Sequence, residues 1–467
     1  MIASSIDTII FVTQRRLAWF VFPKKILRVV RNLRDKICTN LVEFIREIIF
    51  SPSFLERHRQ KKTDFTRSRL LPFTSLILYL CNFTKSSYQT ELNKLFKIVT
   101  GSTVAKQVVS KAALCKARKK LKYEAFVDLN EQTTEYFYQH FNPATWCGFF
   151  LKAIDGSTIK LPNFPDISNH FGTWGVRNGV PVPMARISQM FDPLNRITTH
   201  ALISPKGVGE REMAARHFEK LSQNDLVLLD RGYPAFWLFK LIATRGAHFC
   251  SRISIKKWNV VRRFINSGSD EQIITLSAPI TSKKDCQKRH LDSHPMILRL
   301  IRIKLDSGED EVLITSLIDC QQYPLHIFKE LYHERWPVEE DYKTMKCRIE
   351  LEKFSGQSTL SVYQDFHAKI FSKNITSMFA LAAQKRVEET TATRAHRYKI
   401  NFTQALSTMR DTIVFLFQKA TSEVQSIVSD ILETFAKAIE PVRPGRKYPR
   451  KHKRNQRKYS LHYKPVL

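Results

Sequence analysis

Three acids in this chain stand at positions suited to work on a phosphodiester. Asp155 closes the run "LKAID". Asp230 closes "DLVLLD" and is followed by Arg-Gly-Tyr, and Glu339 lies in "LYHERWPVEEDYKTMK", residues 331–346. That last segment spaces Tyr332, Arg335, Glu339 and Lys346 as Y-x2-R-x3-E-x6-K. A phosphodiester resists attack because its charge repels nucleophiles. Cutting it requires an activated water or hydroxyl in line with the leaving oxygen, and charge neutralisation on both sides. Two Mg²⁺ ions about 3.5–4 Å apart meet both needs. Mg²⁺ takes hard oxygen ligands, a few carboxylates with water and phosphate completing the octahedron. Asp155, Asp230 and Glu339 could supply those ligands while Arg335 and Lys346 hold the phosphate backbone and Tyr332 adds a hydrogen bond. A chain with 43 acidic residues offers many triples, so chemistry alone does not select this one.

Each acid also has a plainer reading. Asp155 and Asp230 both fall where a strand gives way to a loop, the edge at which mixed α/β sheets build their sites. A strand-ending Asp can equally cap a turn. At roughly 100° per helical residue, positions 332, 335, 339 and 346 lie at about 0, −60, −20 and −40°. One continuous helix would therefore line up Tyr332, Arg335, Glu339 and Lys346, with Glu334, Glu340 and Asp341 off the stripe. Pro337 cannot continue a helix without losing a hydrogen bond and is favoured at its first position. The pattern thus predicts a helix starting at Pro337, with Tyr332 and Arg335 in a preceding turn. The alternative is a surface helix with charge pairs such as Glu339 and Lys343, and periodicity alone favours it.

The elements that must position these residues follow from pattern. Residues 1–140 read as helical, with breaks at Gly101-Ser102 and at Val109-Ser110. Ser110 is a plausible N-cap. The helix after it carries Lys111, Lys116, Arg118, Lys119 and Lys120, either a helix-turn-helix-like arrangement able to lie on DNA or a surface helix with ordinary lysines. From about 148, "GFFLKAIDGSTIKL", "MARISQMFD" and "RITTHALIS" predict three antiparallel strands. The helix "EREMAARHFEKL" follows, then "DLVLLD", a strand buried on both faces, the helix "AFWLFKLIATRG" and the strand "AHFCSRIS". This order predicts an α/β fold, a ribonuclease-H-like mixed sheet flanked by helices. Its core spans 145–255 plus 321–385, interrupted by a β-rich insertion over 256–320. C-terminal helices at 386–440 and a basic flexible tail at 441–467 complete the chain.

Composition bounds the partners. Lys plus Arg total 75 against 43 acids, a net charge of +32. That excess repels itself unless a polyanion neutralises it, so nucleic acid or an anionic membrane surface is the expected partner. The apolar runs "LAWFVF" and "LLPFTSLILYL" fall short of the roughly 20 residues that cross a bilayer, and no cleavable signal is evident. The eight cysteines are scattered without C-x-x-C pairs, as core thiols of a reducing compartment are. The chain reads as cytoplasmic, with no membrane partner.

In order, "DGSTIKLP", "DLVLLDRGYPAFWL" and "YHERWPVEEDYKTMK" resemble the three catalytic blocks of DDE transposases from bacterial insertion sequences. The branch resembled is the one named for insertion sequence four, marked by a Y-R-E-K signature after a β-strand insertion. The resemblance covers about residues 110–450. It implies that Asp155, Asp230 and Glu339 are the catalytic, Mg²⁺-binding acids (two ions, with Mn²⁺ able to substitute). It implies too that Tyr332, Arg335 and Lys346 contact double-stranded DNA near the cleaved end. Similar enzymes hydrolyse one strand at each element end and use the freed 3′-hydroxyl to form a hairpin. They reopen it and join the end to target DNA, with both ends held in a homodimer at the nucleoid. An aromatic residue in the insertion stacks a flipped base in such enzymes. Trp258, the insertion's one tryptophan, is the candidate here, or else a packing residue. Arg231 could reach a phosphate or form a salt bridge. Residues 1–60 match nothing in the family. Two competing functions are a ribonuclease-H-fold nuclease that never joins ends and an inactive DNA-binding repressor.

Overall fold

The computed structural model describes residues 24–443 apart from 68, 85, 178–179, 306–307 and 420. Most of the tail expected at 441–467, and the first 23 residues, lie outside the described residues. Among the described residues, no helix is long and apolar enough to cross a membrane.

The N-terminal part is helical as expected, in segments Lys24–Phe50, Pro52–His58, Phe73–Cys81, Tyr88–Thr100, Lys111–Arg118 and Glu124–His140. Gly101 ends its helix with a left-handed φ of 65°, which a glycine adopts without strain. Ser110 caps the next helix by accepting from the Ala113 amide.

Strands β1 (Phe150–Lys160), β2 (Thr173–Arg177), β3 (Val180–Asp192), β4 (Ile197–Ser204), β5 (Asp225–Leu229) and β6 (His248–Ile253) form the heart of the sheet. β4, β3 and β1 run antiparallel, then β1, β5 and β6 run parallel. Three antiparallel strands followed by two parallel ones is the ribonuclease-H-like arrangement. The short β2, paired with the start of β3, carries no alternating signal and was not expected.

Period-2 alternation sorts the strand side chains into two cores. Ala153, Leu226 and Leu228 face the core shared with the helix Thr359–Thr391. Ile154, Val227 and Leu229 face the other, with Phe218, Phe236 and Phe239 from the helices Glu210–Phe218 and Phe236–Thr244. Both faces of β5 are therefore covered, which is why its five residues are all buried and why it reads as an unbroken apolar run. Each such side chain contributes about 1.5–3 kcal/mol on full burial. Leu41, Phe126 and Phe137 of the N-terminal helices belong to the first core, so those helices pack as part of the same body.

The stretch expected to be a β-rich insertion is mixed. It holds the helices Asn259–Asn266 and Ile280–Lys288 as well as β7 (Glu271–Leu276), β8 (Met296–Lys304) and β9 (Asp310–Thr315). Its strands also join the central sheet, in the order β6-β9-β8-β7, because β9 pairs antiparallel with the free edge of β6. The helix Ile280–Lys288 has little apolar periodicity, and only Ser282 and Cys286 are buried, so the strands around it hid it. The helix Thr359–Thr391 runs through the centre, and Val362, Phe366 and Ile370 are buried at their i, i+4 spacing. Helices Phe402–Gln418 and Thr421–Lys437, with a small hairpin of β10 (Tyr398–Ile400) and β11 (Ile439–Pro441), complete the described chain.

Candidate active site

β1 and β5 are parallel neighbours, and the last residue of β5, Leu229, is in register with Ile154. The next position on each strand path is an aspartate, so Asp155 and Asp230 stand side by side. Asp230 follows the end of β5 as expected, but Asp155 does not end its strand, because β1 continues to Lys160 and stays paired with β3 there. Both are half-buried. Glu339 arrives from the other side of the sequence, on the helix Pro337–Lys343, which begins at Pro337 as its position-one preference predicts. This helix packs on β1. Tyr332 lies in the preceding helix Phe328–His333, and Arg335 in the turn between. Lys346 follows in a π-helical turn, Thr344–Arg348, a distortion often found at functional sites.

The electrostatics tie the three acids together. The Asp155 carboxyl is raised from 3.8 to about 6, chiefly by burial, with the charges of Glu339 and Asp230 adding to the rise. The Gly156 amide and the Arg335 guanidinium act in the opposite direction. Arg335, itself buried, donates through Nη2 to Glu339 Oε1 at 2.7 Å. The expected surface alternative, a Glu339–Lys343 pair, is not what forms, since Lys343 pairs with Glu340. Lys346 Nζ donates to Ser157 Oγ at 2.6 Å, two residues along β1 from Asp155. The Tyr332 hydroxyl donates to the Leu229 carbonyl at 3.4 Å, just before Asp230, and burial pushes its pKa up so that it stays protonated. Lys346 thus bonds to β1 beside Asp155, and Tyr332 to the end of β5 beside Asp230.

Hard-ion coordination fits these residues in kind. Glu339 and Asp230 lie close enough for their charges to act on the half-buried Asp155 carboxyl, where burial and like charge make ionisation costly, and a divalent cation would offset both. Among the described residues, no group of three acidic, histidine or cysteine side chains stands already gathered as metal ligands. The Arg335–Glu339 pair occupies one Glu339 oxygen, so ligation of an ion through both oxygens would require Glu339 to leave Arg335.

Other expected contacts fare differently. Lys116 and Lys119 are exposed, whereas Arg118 is 4% exposed. Arg118 donates to Gln364, Ser355, Tyr88, the Ser361 carbonyl and Asp365. It is a buried joint between helices, and that corrects its place among the DNA-contacting residues. Arg231 is exposed beside Asp230 and pairs with no described acid. Trp258 is partly buried at the start of the helix Asn259–Asn266, packed on the second core, which is the packing alternative. The tryptophan exposed at the site is Trp336, 38% accessible between Arg335 and Pro337.

Sequence reasoning missed two tyrosines. The Tyr342 hydroxyl donates to the Asp155 carbonyl at 2.8 Å. The Tyr233 hydroxyl is buried without a hydrogen-bond partner, and Asp155, Glu210 and Asp230 all act on it. The Asp-Arg-Gly-Tyr run after β5 was the available signal for Tyr233.

Residues 151–375 match the family model described as transposase DDE domain. The transposase InsG for insertion sequence element IS4 of Escherichia coli (strain K12) is 22% identical over 296 residues, covering 62% of this chain. The match spans 65% of that relative, just under two thirds of its length. A cryo-EM structure of a piggyBac transposase synaptic complex with hairpin DNA aligns over 84% of this chain and 85% of that one. Its sequence identity is 9% and its TM-score 0.41. Asp155, Asp230 and Glu339 all lie inside the segment that matches the transposase DDE domain model.

Proposed function

We propose that this chain is a DNA transposase that cleaves strands at the ends of a mobile element and joins the freed 3′-hydroxyl to target DNA, by a cut-and-paste route through hairpin ends. The observation that carries the reading is the parallel register that sets Asp155 beside Asp230, with the Glu339 helix packed on β1 and flanked by the turns that carry Arg335 and Lys346. Divalent ions bound there, two Mg²⁺ or Mn²⁺ in their place, would activate the attacking oxygen and neutralise charge on the leaving one.

The chain's own residues do the rest. Arg335 holds Glu339 through one carboxylate oxygen and would be free to take a phosphate oxygen if that acid bound an ion instead. Lys346 beside Asp155 and Tyr332 beside Asp230 orient the backbone of the scissile strand. Arg231, exposed beside Asp230, and the lysines 116 and 119 extend the cationic surface that a chain of net charge +32 offers to double-stranded DNA. The helices within 1–140 are assigned to binding of element ends, and a homodimer would hold two ends together at the nucleoid.

The test is incubation of the full chain with DNA carrying the element's own ends, with Mg²⁺ or with chelator. Hairpin and joined products that need Mg²⁺ are the expected result. Nicked ends that are never joined would indicate a nuclease, and metal-independent binding without any cleavage a repressor.

A further inference from the structure

Glu339 stands on a seven-residue helix, too short to hold its direction without tertiary support. Contacts in the interior supply that support and close a circuit back to Asp155. The Tyr342 hydroxyl, three residues from Glu339, donates to the Asp155 carbonyl at 2.8 Å. The Gln189 amide, across the β1–β3 ladder from Asp155, also reaches the tyrosine oxygen. Asp341, on the same short helix, accepts from Lys373 Nζ at 2.7 Å. Lys373 is fully buried on the helix Thr359–Thr391 and donates also to Thr198 Oγ1 at 2.7 Å. Thr198 Oγ1 donates in turn to Gln189 Oε1 at 3.1 Å, and Gln189 is the ladder partner of Asp155. The circuit thus runs from Asp155 through Tyr342, Asp341, Lys373 and Thr198 to Gln189, and so back to β1.

A buried Lys–Asp pair is a poor source of net stability. Desolvation costs several kcal/mol per ion, and well-packed apolar replacements are often neutral or stabilising. What the pair does supply is a fixed direction between the Glu339 helix and the central helix.

We propose that Tyr342, Asp341 and Lys373 are positioning residues that fix the distance and orientation of Glu339 relative to Asp155, and so the affinity of the acid site for divalent ions. The inference rests on the assignment of the acids made above. None of the three touches substrate; they act through the two acids they hold.

Two variants of the full chain test it, Tyr342→Phe and the double change Asp341→Leu/Lys373→Met. The readouts are the Mn²⁺ binding isotherm measured by electron paramagnetic resonance without DNA, the thermal midpoint, and end-DNA binding. The Mn²⁺ concentration giving half-maximal cleavage is measured alongside. Tyr342→Phe should keep its thermal midpoint and DNA binding while Mn²⁺ binds about tenfold more weakly, and the double variant should lose about 10–100-fold, the usual range for partners behind a ligand. The half-maximal Mn²⁺ concentration should rise in step. An unchanged isotherm in a folded Tyr342→Phe chain overturns the proposal, and this variant decides alone if the double variant does not fold. A wild-type chain that binds Mn²⁺ yet joins no ends would sink the proposed function and leave this inference to be judged by the isotherm. A wild-type chain that binds no Mn²⁺ overturns both.

Discussion

Two arginine–carboxylate pairs of nearly equal length sit in different surroundings in this molecule. Arg118 meets Asp365 at 2.8 Å with 4% and 2% of the two side chains exposed. Arg335 meets Glu339 at 2.7 Å with 10% and 32% exposed. The first arginine is satisfied on every side by helix Thr359–Thr391 and its neighbours, so the pair is a closed joint. The second carboxylate stays partly exposed and its charge acts on Asp155, so the pair has room to open and each partner to take a new one. The same chemistry is structural where water is excluded all round, and in the proposed function it is put to use where one side stays open.

The largest expected effect separates the two pairs by activity. Glu339→Gln should lower end cleavage by about a thousandfold, near 4 kcal/mol of lost transition-state stabilisation, with DNA binding retained in gel-shift titrations. Retained cleavage would mean that another acid does this work. Next comes stability. Arg118→Ala leaves Asp365 buried and unpaired and should destabilise the fold by about 3–5 kcal/mol in denaturant titration. Arg335→Ala should cost about 1 kcal/mol or less there, because Glu339 retains access to solvent. Equal losses would erase the distinction between the pairs.

A pH effect sharpens the comparison further. The Asp155 carboxyl is held up at about 6, so it binds a proton in the folded chain at pH values where the unfolded chain does not. That contribution favours the fold below about pH 4 and is lost as pH rises through about 6. Metal binding runs the other way, since the ion needs the ionised carboxylate. Mn²⁺ affinity should fall as pH drops below about 6, and Asp155→Asn should flatten that dependence. The smallest effect belongs to the exposed side of the Arg118 helix. Lys116→Ala should change stability by less than about 0.5 kcal/mol and lower the salt slope of DNA binding by about one. A slope left unchanged would remove that helix from the DNA surface.

The sheet was legible because its strands alternate or run fully apolar. That β1 continues past Asp155 to Lys160 was not legible, because Gly156, Ser157 and Thr158 break the apolar run while the ladder with β3 holds them in the strand. Glu339 was selected by the Y-x2-R-x3-E-x6-K spacing and the family resemblance, while Pro337 marked where its helix begins. The use of Arg118 was not, since its partners Ser355, Ser361, Gln364 and Asp365 lie more than two hundred residues away and only the fold brings them together. Tyr342 was missed for a related reason. Its helix position marks it as core, and it is buried, but its hydroxyl reaches a strand carbonyl that no local spacing announces. The insertion was read as β-rich because its two short helices lack an apolar stripe long enough to outweigh the strands beside them.

The central claim is that Asp155, Asp230 and Glu339 jointly hold divalent ions against a DNA strand. Anomalous diffraction from crystals of the full chain with end DNA, grown in Mn²⁺, tests it most directly. The account predicts Mn²⁺ peaks within coordination distance of all three carboxylates, with the Arg335–Glu339 pair open. Mn²⁺ bound elsewhere, with Glu339 still held by Arg335 beside bound DNA, would contradict it.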